Sequence, residues 1–380
     1  MTDTRKGHTF MWIPGTYEDT LARARFHVLK ANLEEAIPLY EQLVERISSL
    51  KPELLKRRPE LRDIYHSGLA ELAGLHHILG NFERALALCR QLSELEGSDR
   101  SIWHRRIAYV LIDMGRVEEG LDALRAEAMA NPGDHRIWLA LGHECIYLKR
   151  WQEAEENLQR ALRNAVTQDE RWAVYLNFFD LYRGQGRIEE ALTTWEHAWQ
   201  GQTESANNSL VYQMLLEHSQ IERAQQYLER ETNALRRGFY RGLIDMLQGK
   251  VREAQRHWQK VVDMNPFEFG NSFEEWAEAA LRVETDPAEV ADVLKRFESS
   301  TDATYREMVL WAIAEVRLGH VDEAERVLKL GRLIRQRSRP RYDKIPAREW
   351  KLFNELVSDA EIRDKLRHFF ETDQDGHHTS

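Results

Sequence analysis

Two groups of side chains have the residue types of a metal site, but neither has the necessary spacing. His143, Glu144 and Cys145 are adjacent, and this triplet lacks the second histidine that completes a zinc-binding helix. His76 and His77 are also adjacent, with no further ligand at the usual spacing. We interpret both groups as ordinary helix residues, and we expect neither a metal nor another cofactor.

Nucleotide binding and nucleophilic catalysis are also disfavoured. Gly242 and the pair Gly249-Lys250 resemble a phosphate-binding loop, but the glycine spacing differs and no Ser or Thr follows the lysine. Cys89 and Cys145 form no CxxC pair, and the sequence contains no GxSxG motif. We therefore predict that the protein is not an enzyme.

A basic segment near the C-terminal end is a candidate contact site. Residues 332–348 contain seven Lys or Arg and two prolines. Such a run could hold an acidic partner or RNA, and the alternative is that it is simply solvated. The candidate contact residues are Arg332, Arg335, Arg337, Arg339 and Arg341.

Composition limits the class of protein. The chain has 380 residues, of which 42% are hydrophobic and 31% charged, and this length is large for one compact core. Its formal net charge of −10 would repel a phosphate backbone, so general nucleic-acid binding is disfavoured. The two cysteines favour a reducing compartment. No apolar run is long enough for a signal peptide or a membrane span, so we expect a cytoplasmic protein without membrane contact.

The elements that position these residues are predicted to be helical hairpins. Small residues recur about every 34 residues, each early in the second helix of a hairpin, where a small side chain permits close approach of two helices. These anchor positions are Ala36, Ala85, Gly120, Ala154, Ala191, Ala224, Ala254, Ala291 and Ala324. A glycine lies five residues before five of the anchors, where a left-handed residue would end the first helix; these are Gly80, Gly115, Gly186, Gly249 and Gly319.

The fourth unit shows the pattern most clearly. Its matching residues are Trp138, Leu141, Gly142, Ala154, Leu158 and Ala161. The pattern resembles the tetratricopeptide repeat (TPR), although Cys145 replaces the usual tyrosine and Val166 the usual proline. This resemblance implies an all-α fold, an α-solenoid (right-handed superhelix) of about nine TPR-like helix-turn-helix repeats with a C-terminal capping segment.

The same register divides the chain into segments. We predict an N-terminal extension (1–16), the repeat solenoid (17–336) with an insertion around 45–62 and a degenerate unit around 270–300, C-terminal capping helices (337–371) and a disordered tail (372–380).

The resemblance also implies a binding groove lined by the first helix of each hairpin. The groove positions in the central units are Arg105, Tyr109, Asp113, Arg136, His143, Tyr147, Asn177, Asp180 and Gln213. Mixed charge with aromatic side chains suits a peptide-like ligand. The family's chaperone-tail class needs a Lys/Asn set on successive first helices, and Tyr109, Ala140 and Ala173 do not match it.

These observations favour a non-catalytic scaffold or adaptor that binds a peptide segment or a partner helix of another protein. An alternative is a ligand- or peptide-responsive TPR regulator that controls an associated effector enzyme, with the degenerate unit as a hinge.

Overall fold

The protein is helical throughout the part that the computed structural model describes, namely residues 16–30, 32–95, 99–199, 208–269, 272–298, 303–338 and 345–370. These residues form 21 α-helices and two short 3-10 helices, without any β-strand. They belong to two compact units, residues 1–123 and 124–380. The predicted all-α repeat fold is confirmed.

The first unit contains three hairpins, α1–α2, α4–α5 and α6–α7, of which α7 continues past the unit boundary. Its helices are α1 (Tyr17–Leu29), α2 (Leu33–Ser48), α3 (Pro52–Arg57), α4 (Pro59–Ile78), α5 (Phe82–Glu94), α6 (Arg100–Asp113) and α7 (Val117–Ala130). The anchor residues Ala36 and Ala85 are fully buried, as expected for positions where two helices approach closely.

Extra residues between the first two hairpins are helical. Helix α3 and the first turn of the 20-residue helix α4 lie within the segment 45–62, where the sequence predicts an insertion. Pro52 and Pro59 each begin a helix, a position at which the missing backbone N–H is not needed for an intrahelical bond. The insertion therefore adds one short helix and lengthens the next.

The second unit contains six hairpins followed by two further helices. Its helices are α8 (His135–Tyr147), α9 (Trp151–Asn164), α10 (Gln168–Gly184), α11 (Ile188–Ala198), α12 (Ser209–Glu217), α13 (Ile221–Glu229), α14 (Ala234–Leu247), α15 (Val251–Val262), α16 (Phe273–Arg282), α17 (Pro287–Lys295), α18 (Tyr305–Arg317), α19 (Val321–Ser338), α20 (Ile345–Leu356) and α21 (Ala360–Leu366). The 3-10 helices are Pro266–Glu268 and Arg367–Phe370. Helices α8, α10, α12, α14, α16 and α18 are neighbours in this order, and we call their shared surface the first-helix face.

The turn inside the hairpins requires a left-handed backbone. The five predicted glycines all have φ between 72° and 82°, which confirms their role. Lys149 and Ser219 occupy the same position in the fourth and sixth hairpins, with φ of 58° and 57°. A residue with a Cβ is strained in this region by about 1 kcal/mol, so these turns are maintained by the packing of the helices around them.

Small and large residues are complementary between the two helices of a hairpin. A Cβ added at Gly142 would lie 2.7 Å from Leu158 Cδ2. Trp138, for which the repeat predicts a packing position, is buried, and so are Trp195, Trp258 and Trp311 in other hairpins. Cys89 and Cys145 are buried free thiols and pack inside the hairpins.

We expect the substitution Gly242→Ala to lower the free energy of unfolding by about 2 kcal/mol because it overpacks the seventh hairpin. The new Cβ would lie 2.7 Å from Trp258 Cδ1 and 2.8 Å from Cε2. Trp258 is 1% exposed and donates a hydrogen bond from Nε1 to Phe239 O (3.2 Å), so the ring has no room to move. Urea denaturation followed by circular dichroism measures the loss.

Gly74→Ala is the matched control. Gly74 also lies inside a helix, but a Cβ there has no neighbour within 4 Å. Alanine should therefore be neutral or stabilise the helix by up to about 1 kcal/mol. Equal destabilisation by the two substitutions would contradict the assigned contact.

The eighth hairpin keeps the left-handed turn but lengthens it. Glu284 has φ of 60°, and α17 begins three residues later because Asp286 caps it and Pro287 starts it. Val290 is fully buried, whereas the predicted anchor Ala291 is 6% exposed. The changed helix start explains why this unit fits the sequence pattern poorly.

Candidate functional site

Both cysteines and Glu144 are buried. Burial raises the pKa of Cys89 to about 11 and that of Cys145 to about 12, so both thiols are protonated at neutral pH. Glu144 is fully buried, and its Oε1 lies 3.1 Å from His143 Nδ1. Within the described residues, no three His, Cys, Asp or Glu side chains are grouped as metal ligands, and no helix is long and apolar enough to cross a membrane.

Three predicted groove residues lie along α6 in the first unit. Arg105 Nη1 donates to Ser101 Oγ at 3.2 Å, and Tyr109 is half-buried. Asp113 Oδ2 lies 2.6 Å from His77 Nε2 of α4. Tyr109 is therefore partly open at the surface of that unit, while Arg105 and Asp113 make polar contacts within it.

The other six predicted groove residues lie on first helices of the second unit. On α8, Arg136 is exposed and paired with Asp134 at 2.7 Å, while His143 and Tyr147 are half-buried. On α10, Asn177 and Asp180 are 2% and 8% exposed. The Asn177 side chain donates to Ala173 O at 2.8 Å. Because both side chains are buried, they contact other parts of the protein and are not open to a ligand.

Gln213 of α12 makes a contact that the sequence did not predict. Its Oε1 accepts a hydrogen bond from Arg348 Nη1 of α20. Helix α20 therefore lies on the first-helix face of the second unit.

An arginine row on α16 and α18 binds α20. We use this name for Arg282, Arg306 and Arg317. Arg306 Nη1 lies 2.7 Å and 2.9 Å from the two carboxylate oxygens of Glu349, which is fully buried. Arg282 Nη1 donates to Glu355 Oε1 at 2.7 Å. The row thus pairs with two carboxylates of one helix.

The third arginine of the row binds helix ends. Arg317 donates to Leu356 O at 3.0 Å and 3.2 Å through Nη2 and Nε, and to Leu281 O at 2.7 Å through Nη1. Carbonyls at a helix C-terminus lack intrahelical partners and carry partial negative charge. Arg317 therefore caps α20 and α16 together.

Two carboxylates of α16 also contact the arginine row and hold it in position. Arg306 pairs with Glu278 and lies 3.7 Å from Glu274 Oε2, and Arg282 pairs with Glu278 at 2.8 Å. Burial opposes the charged form, but Glu349, Glu278 and Glu274 raise the pKa of Arg306 well above its ordinary value. Burial would raise the pKa of Glu278, yet Arg306 and Arg282 keep it below its ordinary value.

Glu307 is a buried carboxyl beside this cluster. Burial and then the nearby charge of Glu274 raise its pKa to about 7. Its carboxyl accepts a hydrogen bond from Thr304 N at 2.8 Å, while Thr304 Oγ1 accepts one from Glu307 N at 3.1 Å. This reciprocal capping box begins α18.

A second buried ion network connects α12, α14 and α16. Arg236 lies 3.6 Å from Glu231 and 3.5 Å from Glu275. Ser209 donates to Glu275 at 2.6 Å, and Tyr212 donates to Glu231 at 3.1 Å. Burial and Glu231 raise the pKa of Tyr212, so its hydroxyl stays protonated and remains a donor.

The apolar side of α20 packs partly on α18 and partly on the residues that follow α20. The ring of Trp350 is 5.3 Å from that of Phe370, and the ring of Phe353 is 5.1 Å from that of Phe370. The OH group of Tyr305 donates to Phe369 O at 3.3 Å. Helix α20 and the 3-10 helix at Arg367–Phe370 thus share one aromatic cluster.

The first residues of the basic segment lie in helix α19. Helix α19 extends to Ser338, so residues 332–338 are helical and do not form a linker. Arg335 is 6% exposed and its guanidinium lies 5.4 Å from the ring centre of Tyr305, while Arg332 is half-buried. Arg337 lies in α19 with its side chain outside the described residues, and Arg339 and Arg341 are outside them altogether.

A charge pattern in the sequence could have indicated the contact with α20. Arg306 and Arg317 lie on a predicted first helix, and Glu349 and Glu355 lie in the predicted capping segment. Opposite charges on two helices that must pack together favour pairing. The apolar residues of that segment alone predict only a cap.

The fold and the first-helix face define an all-α repeat protein built from TPR-like hairpins. No protein-family model matches the chain, and a search of curated proteins finds no match.

The solved structures that are similar to the chain include the following three. A tetratricopeptide repeat protein from Parabacteroides merdae is 11% identical, with 93% of this chain and 98% of that chain covered and a TM-score of 0.36. Yeast Tom70 is 11% identical, with 90% and 69% covered and a TM-score of 0.42. The human IFIT1 dimer with m7Gppp-AAAA is 16% identical, with 83% and 72% covered and a TM-score of 0.38.

Proposed function

We propose that the protein is a non-catalytic interaction scaffold whose first-helix face in the second unit binds a peptide or helical segment of another protein. The observation that carries this proposal is the position of α20, because part of this face already holds a helix through Arg282, Arg306 and Arg317. A surface that binds one helix by paired charges and helix-end contacts has the chemistry to bind another.

The proposed partner site is the part of the face formed by α8 and α10. His143 and Tyr147 are half-buried there, together with Leu139 and Leu176. Half-buried aromatic and aliphatic side chains beside polar groups are typical of interaction hot spots. Arg136 is exposed at the start of α8 and would contact the edge of a bound segment.

The buried groove residues have a supporting role in this proposal. Asn177 and Asp180 would position α10, and Gln213 would connect the partner site to α20. Arg105, Tyr109 and Asp113 remain a separate candidate surface of the first unit. The alternative function, regulation of an associated effector enzyme, stays a prediction.

Peptide selection against the whole protein tests the proposal. A displayed library of random 16-residue peptides is selected on the immobilised chain, and the affinity of the best peptide is measured by fluorescence anisotropy. We expect the double substitution His143→Ala and Tyr147→Ala to weaken binding by at least about tenfold.

Gln159→Ala is the matched control, because Gln159 is exposed on the second helix α9. It should leave the affinity unchanged. A library without any binder, or a peptide whose affinity depends equally on Gln159 and Tyr147, would refute the assigned site.

A further inference from the structure

The arginine row has contacts that do not involve α20. Arg306 pairs with Glu278 and lies 3.7 Å from Glu274, and Arg282 pairs with Glu278. These carboxylates belong to α16, which packs directly against α18. The guanidinium groups are consequently preorganised, and preorganised charges bind with a smaller entropic cost.

The contacts made by α20 define the chemistry of its site. Two carboxylates, Glu349 and Glu355, are six residues apart in the helix, a rise of about 9 Å. The helix ends at Leu356, whose carbonyl oxygen binds Arg317. The site thus selects an acidic helix with a defined direction, in which one carboxylate lies beside the C-terminus and the other about two turns earlier.

Several contacts of α20 would not be lost if it left the site. Trp350, Phe353 and Phe370 pack against one another within the segment 345–370. The contacts within this cluster can be kept when α20 moves, whereas the hydrogen bond from Tyr305 of α18 to Phe369 O must break. At the site itself, Glu355 is half-exposed and Arg348 is partly exposed.

We propose that the arginine row is a docking site for an acidic helix of a partner protein, and that α20 is an internal occupant which this helix replaces. The inference rests on the proposed function only in taking the partner to be a protein. It adds a second site, a required charge pattern and a competitor within the chain. Partner binding at the row would release α20 and the residues that follow it.

A synthetic peptide with the sequence of residues 345–357 serves as the probe. It is labelled and titrated into the full chain and into a variant carrying Glu349→Gln and Glu355→Gln. The variant's own α20 has lost the carboxylates that the peptide retains, so the peptide should bind the variant at least about tenfold more tightly than the wild type. A peptide with Gln at the same two positions should lose this advantage.

A second variant protects the test against misfolding. Glu355→Gln alone changes a half-exposed side chain, so the fold is retained, and we expect binding at least about threefold tighter than for the wild type. Gln159→Ala, on α9, should behave like the wild type. Equal affinity of the peptide for the wild type and both glutamine variants would overturn the proposal.

The two proposals fail separately. The effect of His143→Ala and Tyr147→Ala on the affinity of selected peptides tests the α8–α10 part of the face. Binding of the α20 peptide tests only the arginine row. A chain that binds the α20 peptide but no library peptide would retain the row as a docking site and refute the α8–α10 site.

Discussion

Replacing Arg306 with Met should lower the free energy of unfolding of the second unit by about 3 to 5 kcal/mol. Arg306 is the cation shared by Glu349, Glu278 and Glu274, of which Glu349 and Glu278 are 0% and 3% exposed at the side chain. Methionine fills similar volume but leaves these carboxylates without that cation in a buried place. Removal of one partner from a buried ion cluster is costly for this reason. Urea denaturation at pH 7.5, followed by circular dichroism, measures the loss.

Arg223→Met is the control for this experiment. Arg223 pairs with Glu189, whose side chain is 73% exposed, so water solvates the carboxylate when the arginine is removed. The expected change is below about 1 kcal/mol. Similar losses for the two variants would show that burial of the Arg306 cluster has no energetic consequence, contrary to our interpretation.

The second large effect is a pH-dependent stability controlled by Glu307. Its pKa is raised from 4.5 to about 7 by burial and by Glu274, so the folded protein holds this proton more tightly than the unfolded chain does. The carboxyl therefore destabilises the fold increasingly as the pH rises from about 4.5 to 7. Above pH 7 the full penalty, up to about 3 kcal/mol, is present.

Glu307→Gln should remove this penalty. The amide oxygen can still accept the hydrogen bond from Thr304 N, and no charge is buried. We expect the variant to match the wild type near pH 4.5 and to be more stable at pH 8. Urea denaturation of both proteins across this range measures the difference.

Glu170→Gln provides the comparison. Glu170 occupies the same capping-box position after Thr167, but it is solvated, and hydrogen bonds from Thr167 and Val166 lower its pKa. Its charge therefore stabilises the fold, and the substitution should give no gain at pH 8. A difference between wild type and Glu307→Gln that does not change with pH would contradict the assignment to Glu307.

The hairpins could be predicted from the sequence because their determinants are local. Gly115 and Gly319 lie five residues before their anchors, and the left-handed turn they form depends on the backbone alone. In the seventh hairpin, Gly242 faces Trp258 at a distance that leaves no room for a Cβ. The eighth unit fits poorly because a proline and an aspartate shift the start of α17.

The site could be predicted only in part, because its contacts join distant residues. Arg306 and Glu349 are 43 residues apart, and Gln213 and Arg348 are 135 apart. A repeat register shows which residues share a face, but it does not show what covers that face. It also assigned Asn177 to an open groove, although the packing of the helices buries it.

The contact of Arg317 with two helix ends constrains the length of the chain. One guanidinium binds the final carbonyls of α16 and α20, while Arg306 holds Glu349 further back along α20. Inserting or deleting one residue between Glu349 and Leu356 would shift one end by about 1.5 Å and rotate it by about 100°. Both contacts could not then form together. This stretch should therefore accept substitutions on its solvent side during evolution while its number of residues stays constant.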